Sequence, residues 1–280
     1  MRKSIFLSIN DYNSDPITEI DKIDRVLQKE CGYYTTIYNL LNQSFVRSKL
    51  LRSRFVNLDD CIDSLIYNIS HNYNRCDFER LDSNIQNIIF NEFFNYCEVI
   101  FHLLFLAYKY EKINTTDFDE NVFLQAIDVI KVSLKSLNYQ IVCLNEEEFL
   151  FEVIKINPES EIVAAQSENT IKQAILHYLG ARDNDIKEKE NRLLQLIVLL
   201  EPNIKKFKNE SSISKVSEYV QLIRHSEEKK KEKEYQWYFD NKEKYLDYIF
   251  AMCIYAQHYF ITKDVINTFE KLKTNNSEKK

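Results

Sequence analysis

Phe93-Phe94-Asn95-Tyr96-Cys97-Glu98-Val99-Ile100-Phe101-His102-Leu103-Leu104-Phe105-Leu106-Ala107-Tyr108 is apolar on nearly every side when wound at 3.6 residues per turn. A helix of that kind belongs at the centre of a core. Glu98 and His102 interrupt it, and its longest purely apolar run is Leu103–Tyr108. A membrane span needs about 20 consecutive apolar residues, so this is a core helix and no membrane partner is expected. The surrounding pattern predicts a helix over about 77–110 and a protein built around it from other helices.

Outward from that helix, Asp15-Pro16 starts one ending near Cys31-Gly32, with Ile17, Ile20, Ile23, Val26 and Leu27 at helical spacing. Two more helices are predicted over 34–55 and from Asn57 or Asp59 to about Tyr73. On the other side, Thr116-Asp117 opens a helix to Leu137. The pattern then changes. Tyr139–Leu144 and Phe149–Ile156 are rich in β-formers around the polar Asn145–Glu148, which predicts a β-hairpin over about 139–156. Within it Phe149, Phe151 and Val153 alternate against Leu150, Glu152 and Ile154. Ile5–Ile9 is the candidate for a third strand.

From Ser167 the helical pattern returns. Ser167–Leu179 ends at Gly180, Asp183–Phe207 follows, and Ser211 or Ser212 caps a helix through Ile223. A last helix is predicted over 235–273, with Tyr245, Ile249, Met252, Ala256 and Tyr259 on one stripe. The predicted fold is mainly α, a compact helical bundle with one small β-hairpin. The predicted organisation is a helical N-terminal domain over 1–160 ending in the hairpin, a C-terminal helical domain over 161–273 and a frayed tail over 274–280. Charge differs between the halves, with 16 basic and 23 acidic residues in 1–156 against 21 and 20 in 157–280. The overall net charge of −6 does not advertise for nucleic acid.

The 280 residues hold only two glycines, Gly32 and Gly180. Glycine takes positive φ without penalty, so phosphate-cradling loops and nucleophile elbows need it. Neither glycine has a partner at such spacing, and both read as helix C-caps. The five histidines are scattered, and none of the six cysteines forms a C-x-x-C pair. No metal and no cofactor are expected. Cysteines among apolar neighbours, as at Cys97 and Cys253, and an N-terminus without a signal-peptide pattern predict a reducing cytoplasm.

Four groups remain as candidate sites. Glu98 and His102 stand at i and i+4 on the most apolar helix, where they read as a buried polar pair. Arg47, Lys49, Arg52 and Arg54 form a basic patch with no acid between Cys31 and Leu58. Tyr235, Trp237, Tyr238 and Phe239 put four aromatics in five positions, too many for one core-facing stripe, and form a candidate partner-binding patch. Arg224-His225 ends an apolar helix just before the mixed-charge run Ser226–Glu234.

The order of elements from Ser167 to Ile261 is a short helix, a long amphipathic helix, a helix ending in Arg224-His225, a charged loop and an aromatic-rich final helix. That order resembles the helical C-terminal part of bacterial abortive-infection-associated proteins, and is loosely similar to the HEPN group of all-α proteins. It covers about a third of the chain, and Arg224-His225 is its one motif. HEPN ribonucleases carry Arg, four to six residues, then His, and cleave RNA without metal across a dimer. At the corresponding positions this chain has Lys229, Lys230 and Lys231, and its histidine is adjacent to the arginine instead. The resemblance implies a bacterial cytosolic interaction protein, a partner or sensor in a phage-defence or toxin–antitoxin type system, with a protein partner or homodimer. Its alternative is a divergent RNase using Arg224 and His225 on RNA.

Overall fold

The computed structural model describes residues 15–31, 80–114, 120–145, 150–182, 185–225 and 235–277. The expected strand Ile5–Ile9, the helices expected between 34 and 73, Gly32 and the Ser226–Glu234 run lie outside the described residues. Among the described residues the fold is mainly α with one antiparallel β-hairpin. The chain divides into two compact units, Met1–Ile156 and Asn157–Lys280.

In the first unit, helix α1 (Pro16–Cys31) starts where the residues demand it. Oδ1 of Asp15 accepts the backbone N–H groups of Ile17 at 2.9 Å and Thr18 at 3.0 Å, and Pro16 fills the first position, whose donor is not needed. Helix α2 (Ser83–Asn114) is the central apolar helix. It begins later than its apolar pattern implies, because Asp82 supplies the N-terminal acceptor, taking the N–H of Asn84 at 2.8 Å. Helix α3 (Glu120–Ser136) lays Phe123, Ala126, Ile127, Ile130 and Leu134 on one buried face. These meet Ile20 and Ile23 of α1 and Phe93, Cys97, Ile100, Phe101 and Leu104 of α2 in one core.

A tight turn leads from α3 into strand β1 (Tyr139–Asn145), which pairs with β2 (Leu150–Lys155) in the register Tyr139↔Lys155, Ile141↔Val153, Cys143↔Phe151. The turn sits on Asn138 at φ 67°, a left-handed conformation that Asn tolerates better than most residues. Gly180, by contrast, stands at its helix end with φ −88° and ψ −4°, ordinary right-handed values. Glycine's freedom is therefore unused there. A two-stranded hairpin is marginal alone. Here β1 packs on α3 and β2 on α2. The expected alternation does not sort β2 into an inner and an outer face, since Glu152, Val153 and Ile154 are all buried.

The second unit contains α4 (Pro158–Gln166), α5 (Asn169–Leu179), α6 (Ile186–Lys206), α7 (Ser211–Arg224), α8 (Gln236–Asp240) and α9 (Lys242–Ser277). Helix α6 is its axis and packs against α5, α7 and α9. Leu193, Leu196, Ile197, Leu200 and Ile204 form its buried stripe. The α9 side of that core is Leu246, Ile249, Phe250, Cys253, Ala256 and Phe260. Tyr245, Met252 and Tyr259, placed on the core stripe by sequence, lie half-buried at its margin.

Several boundaries differ from expectation for local reasons. Asn157-Pro158 opens α4, a helix the apolar pattern does not announce. Oδ1 of Asn157 accepts the N–H of Ser160 at 3.0 Å, and its own N–H donates to Oε1 of Glu161 at 3.1 Å, a reciprocal cap. Asp185 caps α6, accepting the N–H of Glu188 at 2.8 Å, so the helix begins at Ile186. Glu210, not a serine, precedes α7, and its side chain makes no capping bond. The helix predicted over 235–273 is broken at Asn241 and continues to Ser277.

Candidate functional site

Glu98 and His102 both lie buried in the first unit's core. Oε1 of Glu98 accepts the backbone N–H of Val153 at 2.7 Å. The carboxylate thus ties α2 to strand β2, a partner 55 residues away. The His102 ring stands edge-on to Phe151, centroids 6.1 Å apart. Nearby on α2, burial raises the Glu92 carboxyl above the usual range.

In the second unit, Arg224 is the last residue of α7, and His225 is its C-cap, donating its backbone N–H to Gln221 O at 3.0 Å. The Arg224 guanidinium forms an ion pair with Glu201 of α6. Glu201 also receives Lys205 at 2.7 Å. Hydrogen bonds from Lys205 and then Arg224 hold the Glu201 carboxyl below its ordinary pKa. The arginine therefore shares the carboxylate of a neighbouring helix with Lys205.

The four aromatics are separated by the structure. Tyr238 is fully buried, Tyr235 and Phe239 are half-buried, and Trp237 is 41% exposed. Tyr245 supports the Trp237 ring edge-on at 4.8 Å, and Tyr248 in turn packs edge-on against Tyr245 at 5.8 Å. Burial, reinforced by the Glu190 charge, pushes the Tyr238 hydroxyl well above its ordinary pKa. The basic patch Arg47, Lys49, Arg52 and Arg54 lies outside the described residues.

Sequence reasoning missed a polar network at the N-terminal ends of α6 and α9. Nζ of the buried Lys189 lies 2.9 Å from Asp247, and the Tyr178 hydroxyl donates to the same carboxylate at 2.9 Å. Lys242 pairs with Glu190 at 2.6 Å. Arg192 donates to the carbonyl oxygen of His177 and pairs with Glu188 at 2.8 Å. A shallow polar cleft of about 390 Å³ opens beside it, lined by His177, Asp185, Lys187, Glu188, Asn191, Arg192 and Gln195. The signal was present as Lys189 and Arg192 on the apolar side of an otherwise regular amphipathic pattern. The partners in α5 and α9 are too distant in sequence to read.

Among the described residues no three His, Cys, Asp or Glu side chains converge as metal ligands would, and no helix is long and apolar enough to cross a membrane. Comparison with protein-family models, curated proteins and solved structures finds no match for this chain.

Proposed function

We propose that this chain is a non-catalytic helical interaction protein, a partner or sensor in a bacterial phage-defence or toxin–antitoxin type system. The observation that carries the reading is the exposed Trp237, braced by Tyr245 rather than buried among the core residues around Tyr238. Aromatic side chains in such positions give large contact area at low entropic cost, and Trp is the residue most enriched at binding hot spots. The engagement of Arg224 by Glu201 favours this reading over a ribonuclease, which needs the guanidinium for a phosphate. The resemblance of the region from Ser167 to Ile261 supplies the biological setting.

Two measurements test it. Wild-type protein incubated with total RNA and EDTA is expected to leave the RNA intact. Cleavage that disappears in Arg224→Ala and His225→Ala would replace this reading with the ribonuclease. Tagged protein from a bacterial host is expected to co-purify with a stoichiometric partner that Trp237→Ala loses. A partner retained by that variant moves the surface away from the aromatic patch.

A further inference from the structure

Helix α9 carries a second stripe on the side away from the core, apolar at six of its eight positions. Tyr248, Ala251, Tyr255, His258, Thr262, Val265, Phe269 and Leu272 follow one another at alternating steps of three and four residues, and all eight are exposed. Such spacing is the a/d pattern of a coiled coil, which lets the face follow a partner helix without drifting away. The core-facing residues of α9, among them Leu246, Ile249, Cys253, Ala256 and Phe260, occupy the opposite side. Beyond the core the helix runs on, and every residue from Asp264 to Lys273 is exposed, with Phe269 at 69%. An isolated helix of under about 15 residues is marginal in water, so this projecting half gains most from a partner.

We infer that this face pairs antiparallel with the same face of a second copy of the chain. The pairing follows from the spacing. In an antiparallel two-fold pair each a position meets a d position of the other helix, and one register aligns all eight residues. Tyr248 then meets Leu272, Ala251 meets Phe269, Tyr255 meets Val265 and His258 meets Thr262, each twice. The smallest side chain, Ala251, faces the Phe269 ring, and Tyr248, Ala251 and Tyr255 of the core-backed half each face a residue of the projecting half, with His258 and Thr262 meeting at the centre. Each projecting half thereby lies on the other copy's core-backed half.

The Thr262 hydroxyl donates to the carbonyl oxygen of His258 at 2.9 Å, so it enters the seam already hydrogen-bonded. Ile266 and Met252 flank the seam on one side. Six large side chains here (Tyr248, Tyr255, Val265, Ile266, Phe269, Leu272) are about half exposed or more. With ~100 Å² of exposed area each they offer about 600 Å² per copy, so complete coverage buries at most ~1,200 Å² for the pair, the lower bound for a stable interface. The inference goes beyond the interaction reading above, because the seam does not use Trp237.

Sedimentation of the full chain at tens of micromolar is expected to give twice the 33.6 kDa of one chain. Phe269→Glu, at an exposed position, is expected to leave the far-ultraviolet spectrum unchanged and raise the dimer Kd at least about tenfold. A mixture of Tyr255→Cys chains with Val265→Cys chains should cross-link at those two positions on mild oxidation, read by peptide mass mapping. A monomeric wild type overturns the inference even if a different protein binds α9. So does a dimer that Phe269→Glu leaves intact, or cross-linking of Val265→Cys chains to each other in preference to the mixed pair, which is the parallel arrangement. Loss of the Trp237-dependent partner would leave all three results unchanged, so the two readings fail separately.

Discussion

Glu98 explains why a carboxylate interrupts the most apolar stretch of the chain. It gives the Val153 N–H an acceptor at 2.7 Å on the side of the strand that faces α2. Removing that acceptor leaves a buried donor without its bond, which costs about 1–3 kcal/mol, whereas an amide oxygen in its place keeps the bond. Glu98→Ala is therefore expected to lower the urea midpoint substantially, and Glu98→Gln to lower it less. Equal midpoints for both variants and wild type would mean the bond carries no stability. A second residue-scale expectation concerns alkaline pH. Burial pushes the Cys253 thiol from 9.0 up to about 12. The unfolded thiol ionises first, so this contribution is fully present below about pH 9 and is lost as pH rises towards 12, at ~1.4 kcal/mol per pH unit. Tyr238 acts in the same direction above pH ~10, since burial and then the Glu190 charge oppose its ionisation. Cys253→Ala should flatten the fall in unfolding free energy between pH 9 and 11; an unchanged slope in urea titrations at those pH values refutes the assignment. The thiol's burial was legible in its apolar neighbours. The bond from Glu98 to β2 was not, because the i+4 histidine offered a nearer partner and nothing local points 55 residues along the chain.

Helix starts show how element-scale signals succeed and fail. Asp15-Pro16 was readable because acceptor and proline stand directly before an amphipathic pattern. Asn157-Pro158 carries the same pair, yet α4 was not anticipated. Its nine residues hold too few apolar positions for a period to emerge, and they follow closely on a strand. The cap bonds of Asn157 argue that this residue sets the helix start. Asn157→Ala is expected to cost about 1 kcal/mol, and Asn157→Asp, which keeps the acceptor, markedly less. Chemical denaturation that ranks the two variants the other way would show that Pro158 alone sets the helix. The break at Asn241 was illegible for a different reason. Aromatic residues run on through both sides of it, so no change of pattern marks the interruption. Pairing between elements was equally hidden, as with Arg224, whose partner Glu201 belongs to the previous long helix.

At the scale of the whole molecule, each unit owns a core drawn from its own helices. Residues such as Ile23, Phe93, Leu104 and Ile130 serve the first, and Leu196, Leu200, Ile223 and Ile249 the second. The second unit also satisfies its buried charges internally, with Lys189 on Asp247 and Arg192 on Glu188. A chain segment with a closed core and paired buried charges has what a cooperative fold requires. Residues 157–280 expressed alone are therefore expected to be helical and to melt in a single cooperative transition. Leu200 lies at the centre of that core with no exposed surface. Leu200→Ala removes its buried side chain and leaves a cavity, at a cost of about 2–5 kcal/mol. The loss should be of similar size in the isolated segment and in the second-unit transition of the full chain, both followed by calorimetry. A segment that is helical but melts gradually, or a variant whose loss appears only in the full chain, would show that the second core is completed by residues before Asn157.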